Sequence, residues 1–293
     1  EADRLGTVQG HRDGFGFVIP DDGGEDIFLS EREMSRVMHG DRVNVRVLGT
    51  DRRGRPEGQI VDVVLHANKV VIGRLLNENG VLIVAPEDKR IGHDILIPPK
   101  GQGNAKLGQV VSVEIIDYPD SYRQAVGRVV EVLGEIDDPG MEIEIAVRKY
   151  GVPHEFSAAV KKEADALPDS VQQSDLEGRV DLRDVPLVTI DGADARDFDD
   201  AVYAEPQGKG WRLIVAIADV SFYVRPGDAL DKDAYDRGNS VYFPRRVIPM
   251  LPEALSNGLC SLNPDVERLC MVCDMQVDGT GVVKRYQFYP SVM

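Results

Sequence analysis

Short apolar, β-type runs at Gly6-Thr7-Val8-Gln9-Gly10, Gly14 to Pro20 and Asp26-Ile27-Phe28-Leu29-Ser30 are separated by polar turns rich in Gly and Asp, such as Asp21-Asp22-Gly23-Gly24. Runs of this length between such turns predict an all-β barrel over residues 1–66. His39 to Val47 alternates apolar and polar residues with a period of two, which puts successive side chains on opposite faces, and reads as a closing strand. Residues 67–133 repeat the plan in degenerate form, with β-type runs at Val71 to Leu75, Gly80 to Pro86, Asp94 to Pro98 and Val110 to Ile116.

Residues 134–293 read differently. Asp138-Pro139 offers an N-cap and first helical position and Gly151 a stop, which predicts a helix over 139–150 although Met141 to Ile145 alternates like a strand. Ser157 is placed to cap a second helix, with Val160, Ala164 and Leu167 on one face before Pro168. From about 179 the pattern is mixed α/β, with a long apolar strand from Trp211 to Ala218 ending at Asp219. The prolines between Gly238 and Pro252 predict an ordered loop over a site, Pro252 a short helix ended by Asn257-Gly258, and Val282 to Phe288 a last strand.

No apolar run approaches a bilayer's span, and the N-terminus has no signal-peptide pattern; opening on Glu1 without an initiator Met, the sequence reads as a processed or partial chain. Three cysteines cannot all pair, which suits a reducing cytoplasm. Cys270 and Cys273 form a C-x-x-C in a strand-like run, where their odd offset puts them on opposite faces and favours core packing over a metal or redox pair. The net charge of −16 argues against nucleic acid, whose phosphates ordinarily demand a basic footprint. Basic residues are nonetheless bunched at Arg52-Arg53-Gly54-Arg55 and at Arg245-Arg246.

The candidate chemistry lies in Asp191-Gly192-Ala193-Asp194-Ala195-Arg196-Asp197-Phe198-Asp199-Asp200, five carboxylates in ten residues between the apolar runs Val185 to Val188 and Ala201 to Tyr203. Like charges about 4 Å apart repel by about 1 kcal/mol in water and about 4 kcal/mol at an effective dielectric of about 20, so the cluster needs a counter-charge that Arg196 alone cannot supply. All the donors are hard oxygens, which suits Mg²⁺ or Mn²⁺ rather than zinc. A solvated acidic loop is the plain alternative, weakened by the β-type flanks. An EF-hand fails on spacing, since Arg196 and Val202 stand where Gly and Glu are required. Asp219 serves either as a further acid ligand or, as is usual at strand ends, as an acceptor for backbone of the next loop.

Asp191, Asp197, Asp199 and Asp200 have the spacing of the catalytic aspartates of the ribonuclease II superfamily, and Thr189 to Gly192, Ala195 to Val202 and Val215 to Ser221 resemble that family, its ribonuclease R branch above all. The resemblance implies two OB-fold (cold-shock) barrels, residues 1–66 and 67–133, followed by a connector and the first part of a mixed α/β RNB catalytic domain, 134–293. It implies 3′→5′ hydrolysis of single-stranded RNA to nucleoside 5′-monophosphates at a two-metal Mg²⁺ (or Mn²⁺) site held by the four aspartates, in the cytoplasm and without a membrane. Phe15 and Phe17 share one strand face, with Phe28 on the next strand; such rings are either core or a stacking platform, and the wording similar to a cold-shock domain favours stacking on RNA. The glycines beside them are expected to leave that face open. Tyr242 matches the aromatic that stacks on nucleotides near the carboxylates, with burial in the core as the competing reading. A catalytic domain of this kind continues beyond Met293, so the missing portion is expected as a partner if supplied as a separate chain. The alternative is a non-catalytic RNA-binding module resting on the first barrel.

Overall fold

The computed structural model describes residues 3–293, which divide at Val152/Pro153 into two compact units. In the first unit β1 (Arg4–Gly10), β2 (Gly16–Pro20), β3 (Ile27–Leu29), β4 (Arg42–Thr50) and β5 (Pro56–Leu65) close into a barrel in the order β1-β2-β3-β5-β4, with α1 (Glu31–Met34) after β3. Alternation drives it: Val8, Val18, Ile27, Leu29, Val43 and Val45 all point inward and are fully buried. Each contributes about 1.5–3 kcal/mol over an exposed side chain.

A second barrel follows from β6 (Val70–Glu78), β7 (Val81–Pro86), β8 (Ile95–Leu96), β9 (Val110–Asp117) and β10 (Val126–Gly134), closed in the equivalent order. Its core of Val71, Leu75, Val84, Ile95, Val111 and Val113 also takes in Met38 from the first barrel. Further links between the barrels are the His66 and Tyr118 rings, stacked at 3.6 Å, and His93 Nε2, 2.7 Å from the Val37 carbonyl. Strands β5 and β10 escaped the sequence pattern, because their inward positions are interrupted by charged residues facing solvent.

The expected connector helix is α2 (Met141–Lys149). Met141 and Ile145, one turn apart, pack beside Ile72 and Val110 of the second barrel, which is why the helical period prevails over the local alternation. Its start differs from expectation: Gly140, at φ 83°, precedes the helix, and Asp138 uses its carboxylate on the Glu135 amide instead. At the other end Gly151, at φ 62°, lets the Gly151 and Val152 amides close on Arg148 and Val147 carbonyls, a Schellman stop.

The second unit holds a five-stranded sheet ordered β11-β17-β16-β13-β12, from β11 (Val180–Asp181), β12 (Asp200–Gln207), β13 (Gly210–Ala218), β16 (Leu269–Val277) and β17 (Val283–Val292). Its helices are α3 (Ala158–Asp165), α4 (Val220–Tyr223) and α5 (Ala229–Arg237). Ser157 Oγ accepts from the Val160 amide as expected, and Glu163 ties α3 to α5 by accepting from the Ala229 and Leu230 amides. These helices pool Val160, Leu230 and Ala234 with Ala218 and Leu269 at one end of the sheet.

The stretch 238–252 is a correction: it contains a hairpin, β14 (Val241–Phe243) with β15 (Arg246–Ile248), rather than an irregular loop. Pro244 and Arg245, the latter at φ 65°, form the two-residue turn, so that proline sits where a turn needs it and leaves both strands their donors. The short helix after Pro252 also differs, running over Ala254–Leu259 with a bend at Gly258 rather than ending there. Cys270 is fully buried and Cys273 half-buried on the other face of β16; all three cysteines are free, and burial pushes the Cys260 and Cys270 thiols up to about 12. Among the described residues no helix is long and apolar enough to cross a membrane.

Candidate functional site

The acidic loop is held at both ends. Val188 bridges to Val202 at its entrance, while at its exit Asp200 opens β12 opposite Ile217 and the Asp199 carbonyl accepts from the Ala218 amide at 3.0 Å. Between them Ser261, fully buried, accepts from the Phe198 amide at 3.0 Å and donates to the Arg196 carbonyl at 2.7 Å. The Leu262 amide adds a bond to the Phe198 carbonyl, and the buried Arg268 guanidinium holds the Ser261 carbonyl at 2.7 Å. With Phe198 packed against the core, its neighbours Asp197 and Asp199 are left toward solvent at the end of the sheet.

Asp199 is the electrostatic centre of this group. Partial desolvation, then the charges of Asp197, Asp200 and Asp191, raise its pKa above the ordinary carboxylate value. A folded pKa above the unfolded one means that the native state binds the extra proton, so stability falls as pH rises through that window. A cation would reverse this penalty, and the donors are the hard oxygens that Mg²⁺ or Mn²⁺ prefers. Among the described residues no three His, Cys, Asp or Glu side chains close into a cage able to hold an ion. The charges of Asp191, Asp197 and Asp200 therefore act on Asp199 without the four carboxylates closing into such a cage.

Tyr242, on β14, is 62% exposed rather than part of the core, and its hydroxyl donates to the Asp197 carboxylate. That hydrogen bond, with burial and the charges of Asp197 and Asp199, pushes the phenol up to about 12. The Asp219 side chain differs from the expected backbone acceptor of the next loop, making no cap hydrogen bond to α4. It is buried and accepts from Arg179 at 2.7 Å and from Ser221 at 2.9 Å, because Arg179 reaches the same end of the sheet from before β11. Ser261, Arg179 and Arg268 were not legible as site supports, since their partners lie 40 to 65 residues away along the chain for Arg179 and Ser261 and at backbone carbonyls for Arg268.

In the first barrel Phe15, Phe17 and Phe28 form one half-buried cluster, with ring centroids 5.8–5.9 Å apart. Phe17 and Phe28 are direct cross-strand partners. His11 stacks on Phe15 at 4.4 Å, and the Arg55 guanidinium lies 4.6 Å from the Phe28 centroid and 5.4 Å from that of Phe17. The intervening glycine does not open this face: Gly16 points into the barrel, where a Cβ would meet Met34 Sδ at 2.5 Å, and Gly14 serves the turn at φ 91°. A ring surface with flat and cationic neighbours suits unstacked bases.

Comparison with known proteins adds to this geometry. The RNB domain family matches residues 179–293, the cold shock domain family residues 83–157 and the ribonuclease B OB domain family residues 6–63. Ribonuclease R of Acidithiobacillus ferrooxidans is 55% identical over 97% of this chain, which spans 65% of that protein. Ribonuclease R of Escherichia coli is 52% identical over 98% of the chain, which spans 36% of that protein's length. The solved structure of Mycoplasma genitalium RNase R in complex with ribose methylated single-stranded RNA matches with a TM-score of 0.87 at 27% identity, covering 98% of this chain and 46% of that one.

Proposed function

We propose that this chain, similar over 97–98% of its length to ribonuclease R proteins of which it spans 65% and 36%, acts in 3′→5′ exonucleolytic hydrolysis of single-stranded RNA in the cytoplasm, releasing nucleoside 5′-monophosphates. The observation that carries this reading is the anchored acidic loop, in which Ser261 holds the Arg196 and Phe198 backbone and the exposed Tyr242 donates to Asp197, beside Asp199, whose pKa is raised by desolvation and by the charges of Asp197, Asp200 and Asp191. Asp191 and Asp200 would be the first ligands to Mg²⁺ or Mn²⁺, with Asp197 and Asp199 completing the set. Bound there, the ions would supply activation of a water and neutralisation of the charge on the leaving 3′-oxygen. The ring of Tyr242 offers a stacking surface for a nucleotide while its hydroxyl is fixed by Asp197. Phe15, Phe17 and Phe28 offer a second surface for bases.

A non-catalytic RNA-binding module is the second reading, resting on the aromatic cluster of the first barrel. The two separate in one experiment, in which 5′- and 3′-labelled single strands are incubated with Mg²⁺ and either wild type or Asp199→Asn while RNA binding is measured in parallel. Wild type is expected to release mononucleotides from the 3′ end, and the variant to bind RNA without releasing them, because an amide keeps the shape and loses the charge. Tight binding with no release by wild type would establish the binding module instead. Release by Asp199→Asn near the wild-type rate would remove the aspartates from the chemistry.

A further inference from the structure

A chain of net charge −16 that handles a polyanion must place its free cations with care. In the first barrel Arg4, Arg36, Arg42 and Arg46 are each neutralised by a carboxylate, those of Asp22, Glu33, Asp21 and Asp3. Arg52 and Arg53 are exposed, and among the described residues neither has an ion-pair partner. They stand in the turn between β4 and β5, which is built to hold its shape.

Asp51 organises that turn. Its backbone amide donates to the Arg55 carbonyl at 2.8 Å, and the Gly54 amide to the Asp51 carbonyl at 3.0 Å, with Gly54 at φ 80°. One carboxylate oxygen accepts from the Arg53 and Arg55 amides at 2.8 and 2.9 Å, the other from Arg55 Nε and Nη2 at 2.8 and 2.6 Å. Both oxygens of Asp51 are thus consumed inside the turn, leaving it little capacity to neutralise Arg52 or Arg53. The same carboxylate aims the Arg55 guanidinium at the rings of Phe17 and Phe28, which ties the turn to the aromatic cluster.

We infer that the Asp51–Arg55 turn is the backbone-contacting arm of the aromatic platform, with Arg52 and Arg53 taking phosphates of single-stranded RNA and Arg55 acting as a fourth flat stacking group. This rests on reading Phe15, Phe17 and Phe28 as a platform for bases. A single strand presents a phosphate beside every base, so a surface that stacks bases gains most from cations on its rim. Arg55 is neutralised by Asp51 and is already over the rings, so its contribution is planar stacking more than charge.

The test is equilibrium binding of a short single-stranded oligoribonucleotide to the full chain across a salt series. Each phosphate contact contributes roughly 0.7 to the slope of log affinity against log salt for single strands, so Arg52→Ala with Arg53→Ala should flatten the slope by about 1.4. The same variant should bind about tenfold more weakly at low salt, whatever the base sequence, with an unchanged melting temperature. Arg55→Lys should weaken binding while leaving the slope near wild type, because the charge stays and the plane is lost. An unaltered slope in the Arg52/Arg53 double variant overturns the inference. Phe15→Ala with Phe17→Ala, measured alongside, separates the two failures: if that variant binds normally the platform reading has failed, whereas if it binds weakly with the arginine slope unaltered only the turn has.

Discussion

In the first barrel Gly6 faces Pro20, Val8 faces Val18 and Val18 faces Ile27; in the second, Gly73 faces Pro86, Leu75 faces Val84 and Val84 faces Ile95. Carrying this register outward puts Ile83 where the first barrel has Phe17, Leu96 where it has Phe28 and Val81 where it has Phe15. The inward residues of the two barrels are interchangeable in kind, and the outward ones are not. Where the first barrel presents three rings, the second has an apolar cleft of about 720 Å³ lined by Val81, Leu82, Leu96, Ile97 and Leu107 among others, without a ring or a charge. Closure of a barrel constrains one face of each strand, which leaves the other face free to carry a binding surface or to lose it.

The largest break in this comparison is expected from Phe15→Ala with Phe17→Ala. Losing two stacking rings should reduce single-stranded RNA affinity by roughly 2–6 kcal/mol, at about 1–3 kcal/mol per base contact, with the melting temperature almost unchanged; fluorescence anisotropy checks the first and thermal denaturation the second. The matching change in the second barrel, Ile83→Ala, should instead act on stability. Ile83 is only 5% exposed, so truncation should cost about 2–4 kcal/mol in urea denaturation while RNA affinity of the folded protein stays the same. A large affinity loss in folded Ile83→Ala would place bases on the second barrel too.

A smaller test bears on what the barrels share. A Cβ at Gly6 would lie 2.5 Å from the Ile19 carbonyl oxygen and one at Gly73 2.4 Å from that of Ala85, so Gly6→Ala and Gly73→Ala should each cost roughly 1–3 kcal/mol. If one is tolerated and the other not, the barrels are not equivalent at this corner. The smallest effect is expected from grafting rings with Val81→Phe and Leu96→Phe. Affinity should rise by about 1 kcal/mol or less, because the grafted pair has no counterpart of the Arg52-Arg53 turn beside it.

Much of this was readable from local pattern. The strand from Trp211 to Ala218, the helix after Asp138, the Ser157 cap and the shared face of Phe15 and Phe17 all follow from spacing within one element. The hairpin at Val241 to Ile248 was hidden because proline argues against strands unless it occupies the turn, as Pro244 does. Gly16 misled in the same way: a glycine beside aromatics suggests an open ligand face, yet alternation turns it inward against Met34. Of the aspartates the spacing was legible and the mutual influence on Asp199 followed from it. The pairing of Asp219 with Arg179 did not, since no local period selects a partner 40 residues away.

The Ser261 clamp has a consequence in time as well as in space. Its bonds to Arg196 and Phe198 span 65 and 63 residues, and such closures are made late because chain entropy must be spent before the contact repays it. During synthesis the barrels can close while the acidic loop still lacks its anchor, and the loop is fixed only after Ser261 and Leu262 have left the ribosome. Because a contact made late stabilises against unfolding more than it hastens folding, Ser261→Ala should leave the folding rate almost unchanged and speed unfolding of the second unit, with the barrels intact.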